Sequence, residues 1–332
     1  MLETRLLGQT GLTVTPLGLG LAALGRPGYI NLGHAGDLGH EYDVEAMEAH
    51  AHTVLDAAWG AGIRYFDAAR SYGRAEAFLG SWLTSRGIAP DQATVGSKWG
   101  YTYTADWQVD AEVPEVKEHS LAVLRRQRGE SLALLGDHLD LYQIHSATLS
   151  SGVLDNAEVL AELARYKAEG LHVGLTLSGP AQAETLRRAM AVAADGKPLF
   201  ETVQITWNLL EPSTGPILQE ASQRGMGVIV KEALANGRLT DRNDDPAFAE
   251  KRRLLDEVAG DRHTTVDALA LAAVLAQPWV GIVLSGAAQV DHLHSNLGAF
   301  TLTWDAEMAA RLAALAEPPE QYWRTRSALP WN

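Results

Sequence analysis

Short apolar runs alternate with segments of helical period along most of the chain. The runs are Leu17–Leu21, Ile63–Phe66, Ala93–Ser97, Leu139–Ile144, Val173–Leu177, Thr202–Thr206, Val228–Val230 and Val280–Leu284. Their length and continuity read as buried strands. Between them, apolar residues recur at helical spacing in Met47–Trp59, Arg74–Thr84, Val113–Arg126, Asn156–Glu169, Ala181–Ala194, Gly215–Arg224 and Val266–Ala276. Strands that alternate with helices pair in parallel through right-handed crossovers. Eight such units predict a (β/α)8 TIM barrel, an α/β fold. The rival, a doubly wound open sheet, wants a phosphate-binding glycine fingerprint after its first strand. Gly18-Leu19-Gly20 with Gly25 next misses that spacing.

Ahead of the first run, Arg5–Leu7 and Leu12–Val14 flank Gly8-Gln9-Thr10-Gly11, which predicts an N-terminal β-hairpin plugging one end of the barrel. Two stretches lack periodicity, Gly25–Asp43 after the first strand and Gly100–Asp110 after the third. Loops after barrel strands line the active face, and long ones are functional or mobile. No repeat or linker divides residues 1–332, so one barrel domain is expected.

Composition narrows the function. The 332 residues are 46% hydrophobic and 20% charged, a globular balance. A formal net charge of −14 argues against nucleic acid and acidic membrane surfaces, which need basic patches. There is no cysteine, so no thiolate nucleophile and no disulfide. The first residues lack a signal-peptide pattern and no apolar stretch could cross a bilayer. A cytoplasmic protein acting on small molecules is expected, with its oligomeric state undetermined. His50/His52 and His292/His294 are two apart, which on a helix puts them on different faces, so no metal site is expected.

The chemistry gathers where strands end. Asp67 follows Ile63–Phe66, Tyr72 lies in the next loop, Lys98 follows Thr94–Ser97 and His145 follows Leu139–Ile144. A carboxylate, a phenol, an ammonium and an imidazole at one barrel rim form a proton-transfer device suited to carbonyl reduction or alcohol oxidation.

Longer stretches resemble the aldo-keto reductases. Gly62–Gly73 reads GIRYFDAARSYG, Thr94–Gly100 TVGSKWG, Leu139–His145 LDLYQIH, Thr202–Asn208 TVQITWN and Ile282–Ala299 IVLSGAAQVDHLHSNLGA. They occur in the family's order and span nearly the whole chain. The resemblance implies a barrel that binds an extended nicotinamide dinucleotide. It also implies a catalytic tetrad of Asp67, Tyr72, Lys98 and His145, with Tyr72 as general acid. Lys98 would lower the tyrosine pKa from about 10. Asp67 would hold Lys98, and His145 would orient the carbonyl.

The same resemblance implies a cofactor groove. Trp207 stands where the family stacks an aromatic ring on the nicotinamide, and Gln204 and Ser178 are placed to bond its carboxamide. Gly20 ends the first strand. Lys231, Glu232, Arg238 and Arg242 follow the seventh strand, as candidates for ribose and phosphates. Gly286, Gln289, His292 and Asn296 would meet the adenosine end. NADP(H) is the family habit, but Ser285–Gln289 carries no fixed cation for a 2′-phosphate, so NAD(H) remains open. Trp99, Tyr101, Trp107 and Ser146, with Tyr29 and the tail around Trp323 and Trp331, would wall the substrate pocket for a sugar or flat carbonyl compound. Two other readings fit the same barrel: a non-catalytic cofactor-binding sensor or auxiliary subunit, and a lyase or isomerase using Lys98 as a Schiff base.

Overall fold

The computed structural model describes residues 2–332. Its centre is a closed barrel of eight parallel strands: β1 (Leu17–Gly20), β2 (Tyr65–Asp67), β3 (Thr94–Trp99), β4 (Leu139–Ala147), β5 (His172–Leu177), β6 (Thr202–Thr206), β7 (Gly227–Lys231) and β8 (Ile282–Ser285). Neighbours in the barrel are neighbours in sequence, and β8 closes on β1 through Val283–Leu17 and Ser285–Leu19. All eight predicted runs are barrel strands.

The outer ring is α1 (Val44–Gly60), α2 (Ala75–Ser85), α3 (Leu121–Leu135), α4 (Ala157–Ala168), α5 (Gln182–Ala189), α6 (Gly215–Gln223), α7 (Val266–Leu275) and α8 (Val290–Leu297). Four of the eight starts are chemically marked. Asp43, Ser120, Asn156 and Thr265 each accept a backbone N–H from the first turn of the helix they cap. The strand faces and the apolar helix stripes merge into one core that includes Leu19, Phe66, Trp82, Val95, Ile144, Leu163 and Val203. A second cluster, including Leu210, Leu255, Leu269, Met308 and Tyr322, packs an additional helix (Ala249–Asp261) and the C-terminal helices against α7.

The predicted hairpin is present as Arg5–Leu6 paired antiparallel with Thr13–Val14. Leu7 and Val14 are fully buried with Tyr65, Leu141, Ile229 and Ile282, closing the barrel end opposite the strand C-termini. Two expectations change. Val113–Arg126 is not one helix: Glu115–Lys117 pairs with Tyr101–Tyr103 as a hairpin over the β3–α3 connection, and the helix starts after Ser120. The Ser120 cap overrides the apparent helical period upstream. The helix expected over 181–194 ends at Ala189, and Ala193–Ala194 pairs with Lys197–Pro198. Among the described residues no helix is long and apolar enough to cross a membrane.

Candidate active site

Two of the four residues, Asp67 and Lys98, meet directly at the rim. Asp67 ends β2 and Lys98 is the penultimate residue of β3, so both point into the barrel mouth. Lys98 is fully buried and Asp67 is 2% exposed. The ammonium donates to Asp67 Oδ2 at 2.5 Å and to the Ala68 carbonyl at 2.7 Å. Asp67 Oδ1 accepts from Gln204 Nε2 at 2.9 Å and from the Tyr65 hydroxyl at 3.3 Å. A buried ion pair lasts only when its spare lone pairs and protons are also satisfied. Here β2, the residue that follows it and β6 supply those partners.

Tyr72 reaches the same point from the β2–α2 loop. Its ring centroid lies 4.6 Å from Lys98 Nζ and 5.5 Å from the His145 ring, edge to face at 85°. Gly25 fixes this loop: Arg74 N donates to Gly25 O at 2.7 Å, and a Cβ at Gly25 would sit 2.3 Å from the Tyr72 carbonyl oxygen. His145, near the end of β4, is 9% exposed, with Nδ1 3.4 Å from Ser71 Oγ. Tyr101 packs on its ring at 4.9 Å.

Environment decides the protonation states. Burial, then the Asp67 carboxylate, pushes Tyr72 well above the usual tyrosine range. The main opposing charge is the Arg26 guanidinium. The net shift is therefore opposite to the lowering expected from Lys98: Asp67 already holds the ammonium, and Tyr72 keeps its proton. Burial, with Lys98 and then Lys231 close by, holds His145 well below the usual histidine range, so it is a neutral imidazole.

A cavity of about 820 Å³ runs from this cluster across the strand ends. Asp67, Tyr72 and His145 line it, as do the expected groove residues Gly20, Ser178, Gln204, Lys231, Glu232, Arg242, Gly286, His292 and Asn296, and the expected wall residues Tyr29, Tyr101, Ser146 and Trp331. Lys98 lies beneath them. Three non-glycine lining residues hold left-handed backbone, Ser146 at φ 51°, Glu232 at φ 54° and Asn236 at φ 57°. Such conformations persist where surrounding contacts enforce them, often at functional sites.

Six expected residues lie elsewhere. Trp99 follows the inward Lys98, and Trp207 follows the inward Thr206. Strand alternation therefore turns both indoles away from the mouth. Trp99 packs on His119, while Trp207 packs on Trp279 and donates to the Pro212 carbonyl. Trp107 donates to Tyr42 O and packs on Phe78. Trp323 is buried in the second core cluster. Arg238 is locked in a buried pair with Glu317, at 2.6 and 3.1 Å. Gln289 donates to the Asp37 carbonyl at 2.8 Å.

Lys231 is also not remote. It sits within electrostatic range of Lys98 and His145, 3.6 Å from Glu232. Burial lowers its pKa against the pull of Glu232. Burial would raise Glu232, but Arg326 and Lys231 outweigh it and bring its pKa down to about 2. Arg326 donates to Glu232 Oε1 at 2.7 and 3.2 Å. Arg326, Arg26, Glu115 and Asp37 line the cavity and were not anticipated. Arg26 and Asp37 were legible only as charges in a long loop after the first strand. Nothing in the local sequence marks Arg326.

Residues 16–317 match the aldo/keto reductase family model. The chain belongs to this family. It is 28% identical to Aldo-keto reductase str7 of Strobilurus tenacellus, over 96% of this chain and 93% of that protein. It is also 28% identical to pyridoxal 4-dehydrogenase of Microbacterium luteolum, over 89% and 92%. Among solved structures, PA4992 of Pseudomonas aeruginosa, described as an aldo-keto reductase, superposes with a TM-score of 0.63 at 28% identity, covering 93% of this chain and 95% of that one. AKR11C1 of Bacillus halodurans shares the fold at a TM-score of 0.74 and 22% identity, covering 97% and 100%. As a family member the chain is an oxidoreductase of carbonyl chemistry.

The two protonation states generate one prediction. With His145 neutral and Tyr72 protonated, kcat/KM for carbonyl reduction stays flat between about pH 6 and 8. A pH–rate profile with a limb near the ordinary histidine value of about 6.5 that disappears in His145→Asn would contradict it.

Proposed function

We propose that this aldo-keto reductase interconverts a carbonyl compound and its alcohol with a nicotinamide dinucleotide, using Tyr72 as general acid and base. The observation that carries this reading is the buried Lys98–Asp67 pair directly below Tyr72 and His145 on the floor of the long cavity. The residues present fit a dinucleotide. Gln204 lines the cavity beside Asp67, and its Oε1 is buried without a partner, an acceptor suited to an amide N–H. Ser178 lies in the same wall. When bound, the dinucleotide supplies or accepts the hydride.

The chain's own residues do the rest. In reduction, charge develops on the carbonyl oxygen. Tyr72, held protonated, donates to it, and the neutral His145 imidazole orients it. Lys98 adds a positive field whose position Asp67 fixes. In oxidation the steps reverse: Tyr72 first gives its proton to solvent, and the resulting phenolate takes the alcohol proton. A neutral imidazole fits a hydrogen-bonding role better than that of a full acid.

Charge at the far end of the cavity favours NAD(H). Asp37, Asp241, Asp256, Asp267 and Asp291 line that end, against Arg242 and Arg252. Asp37 holds Arg242 at 2.5 and 2.7 Å, and Asp256 holds Arg252 at 2.8 Å. Among the described residues there, neither arginine is free for a 2′-phosphate, while carboxylates suit a ribose diol. The acidic end therefore outweighs the family habit of NADP(H).

Both parts can be tested in one set of measurements. NADH is expected to bind roughly tenfold more tightly than NADPH, the equivalent of about 1.4 kcal/mol. Equal or tighter NADPH binding in a fluorescence titration would reverse the cofactor assignment. Tyr72→Phe is expected to lose at least about 10²-fold in turnover of a reactive aldehyde, with dinucleotide affinity within a few-fold of wild type. Undiminished turnover in that variant would remove Tyr72 from its role.

A further inference from the structure

Arg26, in the loop after β1, is only 2% exposed, yet it lines the cavity beside Tyr72. Its guanidinium is boxed by three rings, with its carbon 4.4 Å from the Trp331 centroid, 5.2 Å from Tyr29 and 5.9 Å from Tyr72. Nη1 is committed: it donates to the Ser71 carbonyl at 2.7 Å and to Glu115 Oε2 at 3.1 Å. Ser71 immediately precedes Tyr72, so this bond fixes the guanidinium relative to the phenol. The tail that carries Trp331 is itself tied down, with Tyr29 and Asn332 exchanging backbone hydrogen bonds at 3.0 and 3.1 Å.

The opposite edge of the guanidinium has no partner. Nε is buried without an acceptor, and among the described residues no hydrogen bond from Nη2 is present. A buried cation with idle N–H groups is unfavourable until something accepts them. Nε and Nη2 form a flat two-donor fork that matches two oxygens of a carboxylate or phosphate. Local charge points the same way. Lys231 and Arg326 share the single carboxylate of Glu232, which leaves one excess positive charge on this side of the cavity.

We propose that Arg26 is the specificity residue of this site. It selects carbonyl substrates, or their alcohols, that carry an anionic oxygen group, a carboxylate or a phosphate monoester, and binds that group through Nε and Nη2. The surrounding rings hold the fork in place, and the reacting carbon is then presented to Tyr72. This assignment rests on the carbonyl–alcohol function proposed above and adds the class of substrate.

The test is steady-state kinetics of the full chain with saturating reduced dinucleotide and two matched pairs. Butanal is compared with succinic semialdehyde for a carboxylate, and glyceraldehyde with glyceraldehyde 3-phosphate for a phosphate. In wild type, the anionic member of at least one pair is expected to be favoured roughly 10- to 100-fold in kcat/KM, mainly through KM, the scale of a charge-assisted hydrogen-bonded pair. Which pair responds identifies the anion. Arg26→Met is expected to bring that ratio near unity, and Arg26→Lys, which keeps charge without the fork, to give an intermediate ratio. Glu115→Gln, which removes the competing carboxylate while leaving Arg26 in place, is expected to widen the ratio and covers the case of an unfolded Arg26→Met. Neutral members turned over as well as anionic ones in wild type, or a ratio unmoved by both Arg26→Met and Glu115→Gln, would overturn the assignment while leaving the oxidoreductase function standing. Absence of turnover on all four carbonyls, with either dinucleotide, would overturn the proposed function and this inference with it.

Discussion

The buried pair of Lys98 and Asp67 is the constraint on which the site depends. Neither charge can be left alone in a barrel mouth with almost no solvent contact. Their separation is fixed by parallel pairing of β2 with β3, which places Asp67 beside Gly96, two residues before the lysine. Gln204 from β6 and Tyr65 from β2 then close the remaining valences of the carboxylate. Once the pair is set, the space above it belongs to groups from connecting loops and from β4. Tyr72 arrives through the tight approach of its loop to Gly25, and His145 through the last turns of β4. Rigid strands thus carry the charges, while Tyr72, the proposed proton donor, sits on a short, well-anchored loop.

Charge compensation repeats along the cavity and gives its two ends opposite character. Near Tyr72, Arg26, Lys231 and Arg326 exceed the carboxylates Glu115 and Glu232 available to pair with them. At the far end, five aspartates outnumber two arginines. The loop after β1 joins the two regions. Arg26 stands in it at one end. Toward the other, Asp37 clasps Arg242 from the β7 side, and its backbone carbonyl accepts from Gln289 at the start of α8. The long stretch that lacked periodicity is therefore a roof over the cavity, held by these polar contacts and by Leu38 and Tyr42, which pack on the main core.

The fold was largely legible in the sequence because barrel strands are short apolar runs with regular spacing. The clustering of Asp67, Tyr72, Lys98 and His145 was legible for the same reason, since they stand where such runs end or just beyond. What failed was side-chain direction. Trp99 and Trp207 follow inward-pointing Lys98 and Thr206, and one residue along a strand reverses the face. Family position suggested a stacking indole at Trp207, but alternation turned it toward Trp279. Arg238 was misread because its partner, Glu317, lies 79 residues away and shows no local pattern. Arg326 and Arg26 escaped notice for a related reason: a cation in a loop or tail acquires meaning only when the chain brings it over a cavity. The helix boundary near residue 120 was missed because the Ser120 cap competes with a plausible apolar period upstream.

The interdependence of Asp67 and Lys98 can be measured directly by a double-mutant cycle on kcat/KM for carbonyl reduction, comparing wild type, Asp67→Asn, Lys98→Met and the double variant, each shown to be folded. If the carboxylate acts by holding the ammonium under Tyr72, the double variant is no worse than the poorer single one, with a coupling of at least about 2 kcal/mol. Losses that add to within about 0.5 kcal/mol would mean that the two residues act independently and that the buried pair does not organise the site.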